Sequence, residues 1–357
     1  MMYSKKLIFL VDHSFNHDNH VGVRKKVNSQ LKLFQKNGIE ASLQFFEWVD
    51  GKPQFEIPLD TDLLYFRNIG FSIRIVQKLW KIKKSIPNIK IIMEIPTYPF
   101  AGEQKDLCMK ERINAWISKL IWRFCIDRFV VMGMDEKQRY LYGIPVIHAI
   151  NGVNFEEEEI VPLDLKEDAV NMICVSGCYY WHGYDRLIKG MEEYYSKNKE
   201  PLNVNLYIVG VGDCLEEYRE LAGQADLLDK HIFLCGKLEG KDLQEVYNHC
   251  NLAVECLALH RKDIRRCGSI KSREYAAKGL PMITSAVLDI SNDLTSEYIL
   301  KISEDDSNID IEEIVRFWHK LYKENKDRNI RTDIRNVFAQ YCSWEIVFKD
   351  VICYMKA

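Results

Sequence analysis

Lys271 and Glu274 stand three residues apart in the stretch from Gly268 to Ser285, in a segment that reads as one short helix followed by a buried strand. Ser269 is placed to cap the helix, Tyr275, Ala276 and Ala277 favour its continuation, and Gly279 with Pro281 stops it. At that spacing both side chains leave one face of the first turns, next to unpaired backbone N–H groups and the positive end of the helix dipole. A cation for a diphosphate and a carboxylate for ribose hydroxyls, on one helix start, suit a sugar nucleotide. The competing account is a solvated surface pair, with Glu274 turned to Lys278 one turn on.

The elements that must position such a pair follow from the hydrophobic pattern. With 357 residues, 47% of them hydrophobic, the chain is long enough for two cores. Strands at Leu7–Val11, Ala41–Phe46, Leu63–Phe66, Ile89–Met93, Phe129–Met132 and Val146–Ala149 alternate with helices from Gly22 to Gly38, at Ile73–Lys84 and at Ile113–Cys125. Asn151-Gly152 is a strong turn signal, and a polar hinge with Glu156 to Glu159 and Pro162 follows it. The alternation restarts with strands at Met172–Val175, Val204–Val209, Ile232–Leu234, Leu252–Cys256 and Met282–Thr284, and with helices at Asp185–Tyr195, Leu215–Ala222 and Asp242–Cys250. That rhythm predicts an α/β protein of two Rossmann-like, doubly wound parallel-sheet domains facing across a cleft, residues 1–155 and 165–343, with a C-terminal helix near 344–357 packing back on the first. In such sheets ligands lie beyond the carboxyl ends of the strands, where Gly22 follows the first strand of one half and Gly177 that of the other.

Composition narrows the class of protein. Eleven cysteines, odd in number and without a C-x-x-C pair, predict reduced thiols and a cytoplasmic setting rather than a disulfide framework. The apolar run after Lys6 is too short for a leader or a membrane span. The net charge of −3 hides a basic first half, +8 over residues 1–155, and an acidic remainder of −11. That distribution argues against nucleic acid as a partner and admits anionic lipid or polyphosphate at the first half, with ordinary surface variation as the alternative. The helix at Ile73–Lys84 is basic and amphipathic; packing on its sheet accounts for its apolar side, and its lysines are left as candidate lipid contacts.

Several signals resolve to ordinary structure. Gly210-Val-Gly212 follows a strand, but Leu215 replaces the third glycine of a dinucleotide fingerprint. Asp60-Thr-Asp62 precedes its strand and reads as a turn. His13, His17 and His20 have no cysteine or carboxylate cluster to complete a zinc set, so no metal is expected; His20 remains a candidate near an acceptor. Glu94, at the end of an apolar strand, is a second acceptor-side candidate.

In order and spacing these segments resemble glycosyltransferase family 4, enzymes of the retaining, two-Rossmann GT-B type, in a divergent subgroup. The carriers of the resemblance are Tyr207-Ile-Val-Gly-Val-Gly-Asp213, Ile232-Phe-Leu-Cys-Gly236 with Leu243 and Tyr247, Asn251-Leu-Ala-Val254, and Lys271 through Pro281. In the first half they are Gly22, Gly38 and Asn151-Gly-Val. The resemblance implies metal-independent transfer of a glycosyl unit, with retention, from a nucleotide-diphosphate sugar to a saccharide or polyprenyl-linked saccharide in surface polysaccharide assembly, at the inner face of the membrane and without a cofactor. It implies Lys271 and His182 as catalytic groups, and Gly22, Gly177, Ser272, Glu274, Gly236 and Arg261 as donor-binding residues. Gly22 would let the backbone approach the donor phosphates.

Three positions depart from the family pattern. Arg266 stands where a first glutamate is common, eight residues before Glu274. Cys178 and His182-Gly183 occupy a loop that commonly carries Arg and Lys-Gly, leaving His182 as the nearest basic substitute. No clear equivalent of the family's acceptor-side histidine is present. The loop His260-Arg261-Lys262, with Arg265 and Arg266, is either a replacement set of phosphate cations or a solvated charge cluster. Two other functions are compatible with the same residues: a nucleotide-sugar epimerase or phosphorylase, and a non-catalytic nucleotide-sugar-binding partner subunit.

Overall fold

In a computed structural model the chain is described at residues 4–16, 21–67, 72–96, 108–133, 137–162, 168–325 and 327–357. It divides into two compact units, Met1–Gly152 with Trp344–Ala357, and Val153–Ser343.

The first unit is built on eight strands: β1 (Lys6–Asp12), β2 (Glu40–Val49), β3 (Lys52–Gln54), β4 (Leu63–Arg67), β5 (Lys90–Ile95), β6 (Arg128–Met132), β7 (Tyr140–Leu141) and β8 (Ile144–Ala149), in the order β3-β2-β1-β4-β5-β6-β8-β7. The six inner strands are parallel, and β3 and β7 are antiparallel edges. Along β1 successive side chains alternate between two cores: Leu7, Phe9 and Val11 on one face, Ile8 and Leu10 on the other. Burial on both faces is why these strands read as unbroken apolar runs. Helices α1 (Val21–Lys36), α2 (Ile73–Ser85) and α3 (Met109–Ile121) supply the layers. The C-terminal helices Trp344–Val347 and Lys349–Lys356 place Trp344, Phe348, Val351, Ile352 and Met355 in the same core as Phe9 and Phe34.

The second unit has an all-parallel six-stranded sheet, from β9 (Ala169–Val175), β10 (Asn203–Val209), β11 (Ile232–Gly236), β12 (Leu252–Val254), β14 (Met282–Thr284) and β16 (Ile299–Lys301), ordered β11-β10-β9-β12-β14-β16. The short strands β13 (Arg266–Cys267) and β15 (Val287–Leu288) pair separately. Its helices are α4 (Tyr184–Lys197), α5 (Leu215–Gln224), α6 (Gly240–Asn248), α7 (Ile270–Ala277), α8 (Ile311–Tyr322) and α9 (Ile330–Cys342). Both units are thus Rossmann-like, as the alternation predicts. The sequence missed β3, β7, β13, β15 and β16, all three residues or fewer, too short to show a period of their own. It also ran β12 on to Cys256, whereas the ladder stops at Val254 and frees Glu255 to turn inward.

Candidate functional site

The residues of interest in the second unit lie beyond the carboxyl ends of β9, β10 and β12, together with the start of α7. Ser269 caps α7, its hydroxyl accepting from the Ser272 N–H at 3.4 Å. Tyr275 fixes the helix against the sheet: its hydroxyl donates to the Val254 carbonyl at 3.3 Å and accepts from the Val175 N–H at 3.0 Å. One phenol therefore ties α7 to the ends of two adjacent strands.

Lys271 leaves the first turn and reaches back over the end of β12. Its ammonium lies 3.5 Å from the Glu255 carboxylate and 3.5 Å from the Cys256 sulfur, with 17% of the side chain exposed. Glu255 is wholly buried and also accepts from the Cys256 N–H at 2.8 Å and from the Ser269 hydroxyl. Burial alone would neutralise both groups. The Lys271 charge, with these two hydrogen bonds, holds the Glu255 carboxyl below its ordinary value. On Lys271, the Cys256 sulfur and the Glu255 carboxylate overcome burial and hold the ammonium well above the usual lysine range. The result is a sheltered, persistently charged lysine whose side chain is not wholly buried.

Glu255 is the residue that sequence reading missed. Its signal was available: an acidic side chain closing the apolar run Asn251-Leu-Ala-Val, the same feature that singled out Glu94.

The other expected residues of this unit have different local roles. Glu274 lies one turn further along α7, half-buried. The Lys278 ammonium contacts Glu158 at 3.1 Å and Gln244 at 2.6 Å. Ser272 is buried, its hydroxyl donating to the Ser269 carbonyl and accepting from Arg273. Gly236 ends β11 with its carbonyl accepting from the Gly210 N–H at 2.7 Å. Gly177 lies under the Tyr179 ring, which would stand 2.5 Å from a Cβ there. His182 is buried, and its Nδ1 accepts from the Tyr179 N–H at 3.3 Å. Burial and then the Lys271 charge push its imidazole down to about 2, so it is neutral at ordinary pH. As a basic substitute for the missing arginine and lysine of this loop, His182 therefore supplies no charge.

Arg261 is committed inside the unit. Its guanidinium forms a fork on Asp185, at 3.0 and 2.8 Å, and also meets Asp306 at 2.7 Å and the Tyr180 carbonyl at 2.7 Å. An anionic ligand would have to displace these partners. Gly210 and Gly212 have a packing explanation: Cβ atoms there would stand 1.8 Å from the Ser176 carbonyl oxygen and 2.5 Å from that of Cys178. The two glycines let the loop after β10 lie against the loop after β9.

In the first unit, Gly22 is the second residue of α1 and is exposed. His20 lies outside the described residues. Glu94 is fully buried, with Lys26 and Arg67 each at 2.9 Å, and it accepts from the Tyr65 hydroxyl and the Gln30 amide, both at 2.7 Å. Burial works against ionisation, but Lys26 and Arg67 with these hydrogen bonds bring the carboxyl down to about 2. A general base at this position would have to shed four donors. Among the described residues, no group of three or more His, Cys, Asp or Glu side chains could hold a metal ion.

Residues 169–317 match the family model described as glycosyl transferases group 1, which covers most of the second unit. No curated protein sequence matches the chain. Among solved structures, the apo form of the lipopolysaccharide outer core galactosyltransferase WaaB is 12% identical, with 99% of this chain and 100% of that one covered, at a TM-score of 0.59. A glycosyltransferase from Rickettsia africae ESF-5 is 12% identical over 99% and 98%, at 0.57. AviGT4, a glycosyltransferase involved in avilamycin A biosynthesis, is 9% identical over 98% and 97%, at 0.57. At these identities the likeness is one of fold. The chain has the two-Rossmann GT-B fold, and the resemblance to a divergent glycosyltransferase family is borne out, with the group 1 domain in the second unit.

Proposed function

We propose that this protein is a retaining, metal-independent glycosyltransferase that moves a hexosyl or related unit from a nucleotide-diphosphate sugar to a saccharide or lipid-linked saccharide acceptor, in surface polysaccharide biosynthesis on the cytoplasmic side of a membrane. The observation that carries it is the Glu255–Lys271 pair at the start of α7, with Glu274 one turn on. Negative charge grows on the leaving diphosphate as the glycosidic bond breaks. A cation held in place beforehand, beside helix N–H groups, stabilises that charge more than it stabilises the bound donor. Lys271 takes this role, and Glu274 accepts from the ribose hydroxyls. Gly22, Gly177 and Gly236 offer backbone that a donor can approach, Ser272 secures the helix start, and Arg261 braces the loop that holds His182. With a fixed ammonium at the diphosphate, bound metal is not required.

Ligand-observed NMR against UDP, GDP, CDP and ADP tests the site and selects the base; no binding to any of them would refute the assignment. With the donor in hand, Lys271→Ala should lower turnover more than donor affinity, and equal loss in both would reduce Lys271 to a binding residue. Transfer that collapses in EDTA would contradict metal independence. Incubating donor without acceptor separates transfer from epimerisation, which would isomerise the sugar. Tight binding with neither transfer nor donor hydrolysis would identify a non-catalytic subunit.

A further inference from the structure

Helix α3 is apolar on the side that faces solvent. Met109, Ile113, Trp116 and Leu120 recur at intervals of four, three and four, and Phe124 continues the stripe in the 3-10 turn that follows. All five are exposed, from 48% to 74%. The opposite side is the one that packs: Ala115, Ser118 and Trp122 are buried, with Trp122 against Phe129. A helix lying on a sheet ordinarily turns a polar face outward. Here the core is satisfied by one side and a second apolar stripe remains.

The charges within residues 112–126 are all basic. Arg112 and Arg123 are exposed and Lys119 is half-buried, all on the same flank, and residues 112–126 contain no acidic side chain. The Arg123 guanidinium lies 4.9 Å from the Phe124 ring centre, and the Lys119 ammonium 5.3 Å from that of Tyr142. Helix α2 packs beside α3 and adds Trp80, exposed, with the Lys84 ammonium 3.6 Å from its ring centre. The lysines of α2 expected to meet lipid are partly spent elsewhere: Lys78 donates to the Pro53 carbonyl, and Lys83 pairs with Asp127.

We propose that the outer face of α3 docks on an anionic lipid bilayer. Aromatic and long aliphatic side chains enter the interfacial layer, and the arginines beside them meet lipid phosphates. Self-association through the stripe is disfavoured by its charge. Two copies meeting face to face would crowd their basic flanks together, and residues 112–126 supply no acid to offset them. A bilayer gives the proposed lipid-linked acceptor a surface on which to be met.

The test is flotation of the full chain with vesicles of phosphatidylcholine alone and of phosphatidylcholine with about one-third phosphatidylglycerol. The expected result is binding to the anionic vesicles, weakened by salt and by omission of phosphatidylglycerol. Trp116→Glu with Leu120→Glu should lower the partition coefficient at least tenfold. Arg112→Gln with Arg123→Gln should lower it by about fivefold for each charge. Wild-type protein left unbound, or variants that bind as well as wild type, would overturn the proposal. So would a wild-type dimer that the Trp116→Glu, Leu120→Glu variant converts to monomer in analytical ultracentrifugation, since the stripe would then join two copies. Circular dichroism verifies that these exposed substitutions leave the fold intact. Flotation needs neither nucleotide nor turnover, so its failure is distinct from failure of the transferase assignment.

Discussion

Replacing Glu255 by glutamine removes the negative charge beneath Lys271 while nearly preserving the shape of the side chain. The new amide nitrogen can face the Ser269 hydroxyl, which can turn to accept from it, and the amide oxygen can still accept from the Cys256 N–H. What is lost is the attraction between two opposite charges 3.5 Å apart. At an effective dielectric of about 20 this is roughly 5 kcal/mol, or more than three powers of ten in the protonation equilibrium of Lys271. Burial then acts on the ammonium with the Cys256 sulfur left as its main opponent, so its titration should move down from its raised position. The sign is definite: the charged form binds diphosphate, so affinity should be retained at low pH and lost as pH rises through the lowered value. The assay is the dissociation constant of the preferred nucleoside diphosphate, measured between about pH 6 and pH 10 for both proteins. Wild type should stay level over most of this range, and Glu255→Gln should lose affinity on the alkaline side. Parallel pH profiles would refute the electrostatic coupling and leave Glu255 as filler. Recovery of the level profile by Glu255→Asp would separate charge from shape.

Three further outcomes follow from the geometry. Glu274→Ala should weaken nucleotide binding by roughly 1.5–3 kcal/mol, between tenfold and somewhat over a hundredfold, as ribose hydroxyls lose a charged acceptor; an unchanged dissociation constant by calorimetry would contradict that role. Glu94 carries an acid-dependent share of stability. The unfolded chain takes up its proton near 4.5 and the folded chain only near 2, so about 3 kcal/mol is present above pH 4.5 and drains away as pH falls towards 2. Urea unfolding of wild type and Glu94→Gln across that window should show a smaller acid loss in the variant, and equal slopes would disprove it. Gly210→Ala puts a Cβ 1.8 Å from the Ser176 carbonyl oxygen at a φ of +143°, so it should cost at least about 2 kcal/mol in urea unfolding. An unshifted midpoint would show that the two loops yield freely.

Local pattern was enough for the architecture. Strands such as Leu7–Val11 and Leu63–Phe66 announce themselves because parallel strands buried on both faces need unbroken apolar runs. The α7 helix was legible for a similar reason, since its cap at Ser269 and its stop at Gly279 are chemical requirements of a helix end. Residue type and spacing also placed Lys271 and Glu274 on that helix start.

Partners across sequence distance were decided only by tertiary structure. Glu255 and Lys271 are sixteen residues apart on different elements, and nothing periodic joins the end of a strand to the second residue of a helix. Glu94 looked like a reactive carboxylate until Lys26, Gln30, Tyr65 and Arg67 closed on it from two other elements. His182 looked like a spare base until burial and Lys271 removed its charge. The stripe on α3 was hidden for the opposite reason: apolar residues occur all round that helix, and only the packed sheet shows which side is left to the solvent. Charge and exposure are properties of surroundings, and a linear sequence does not carry them.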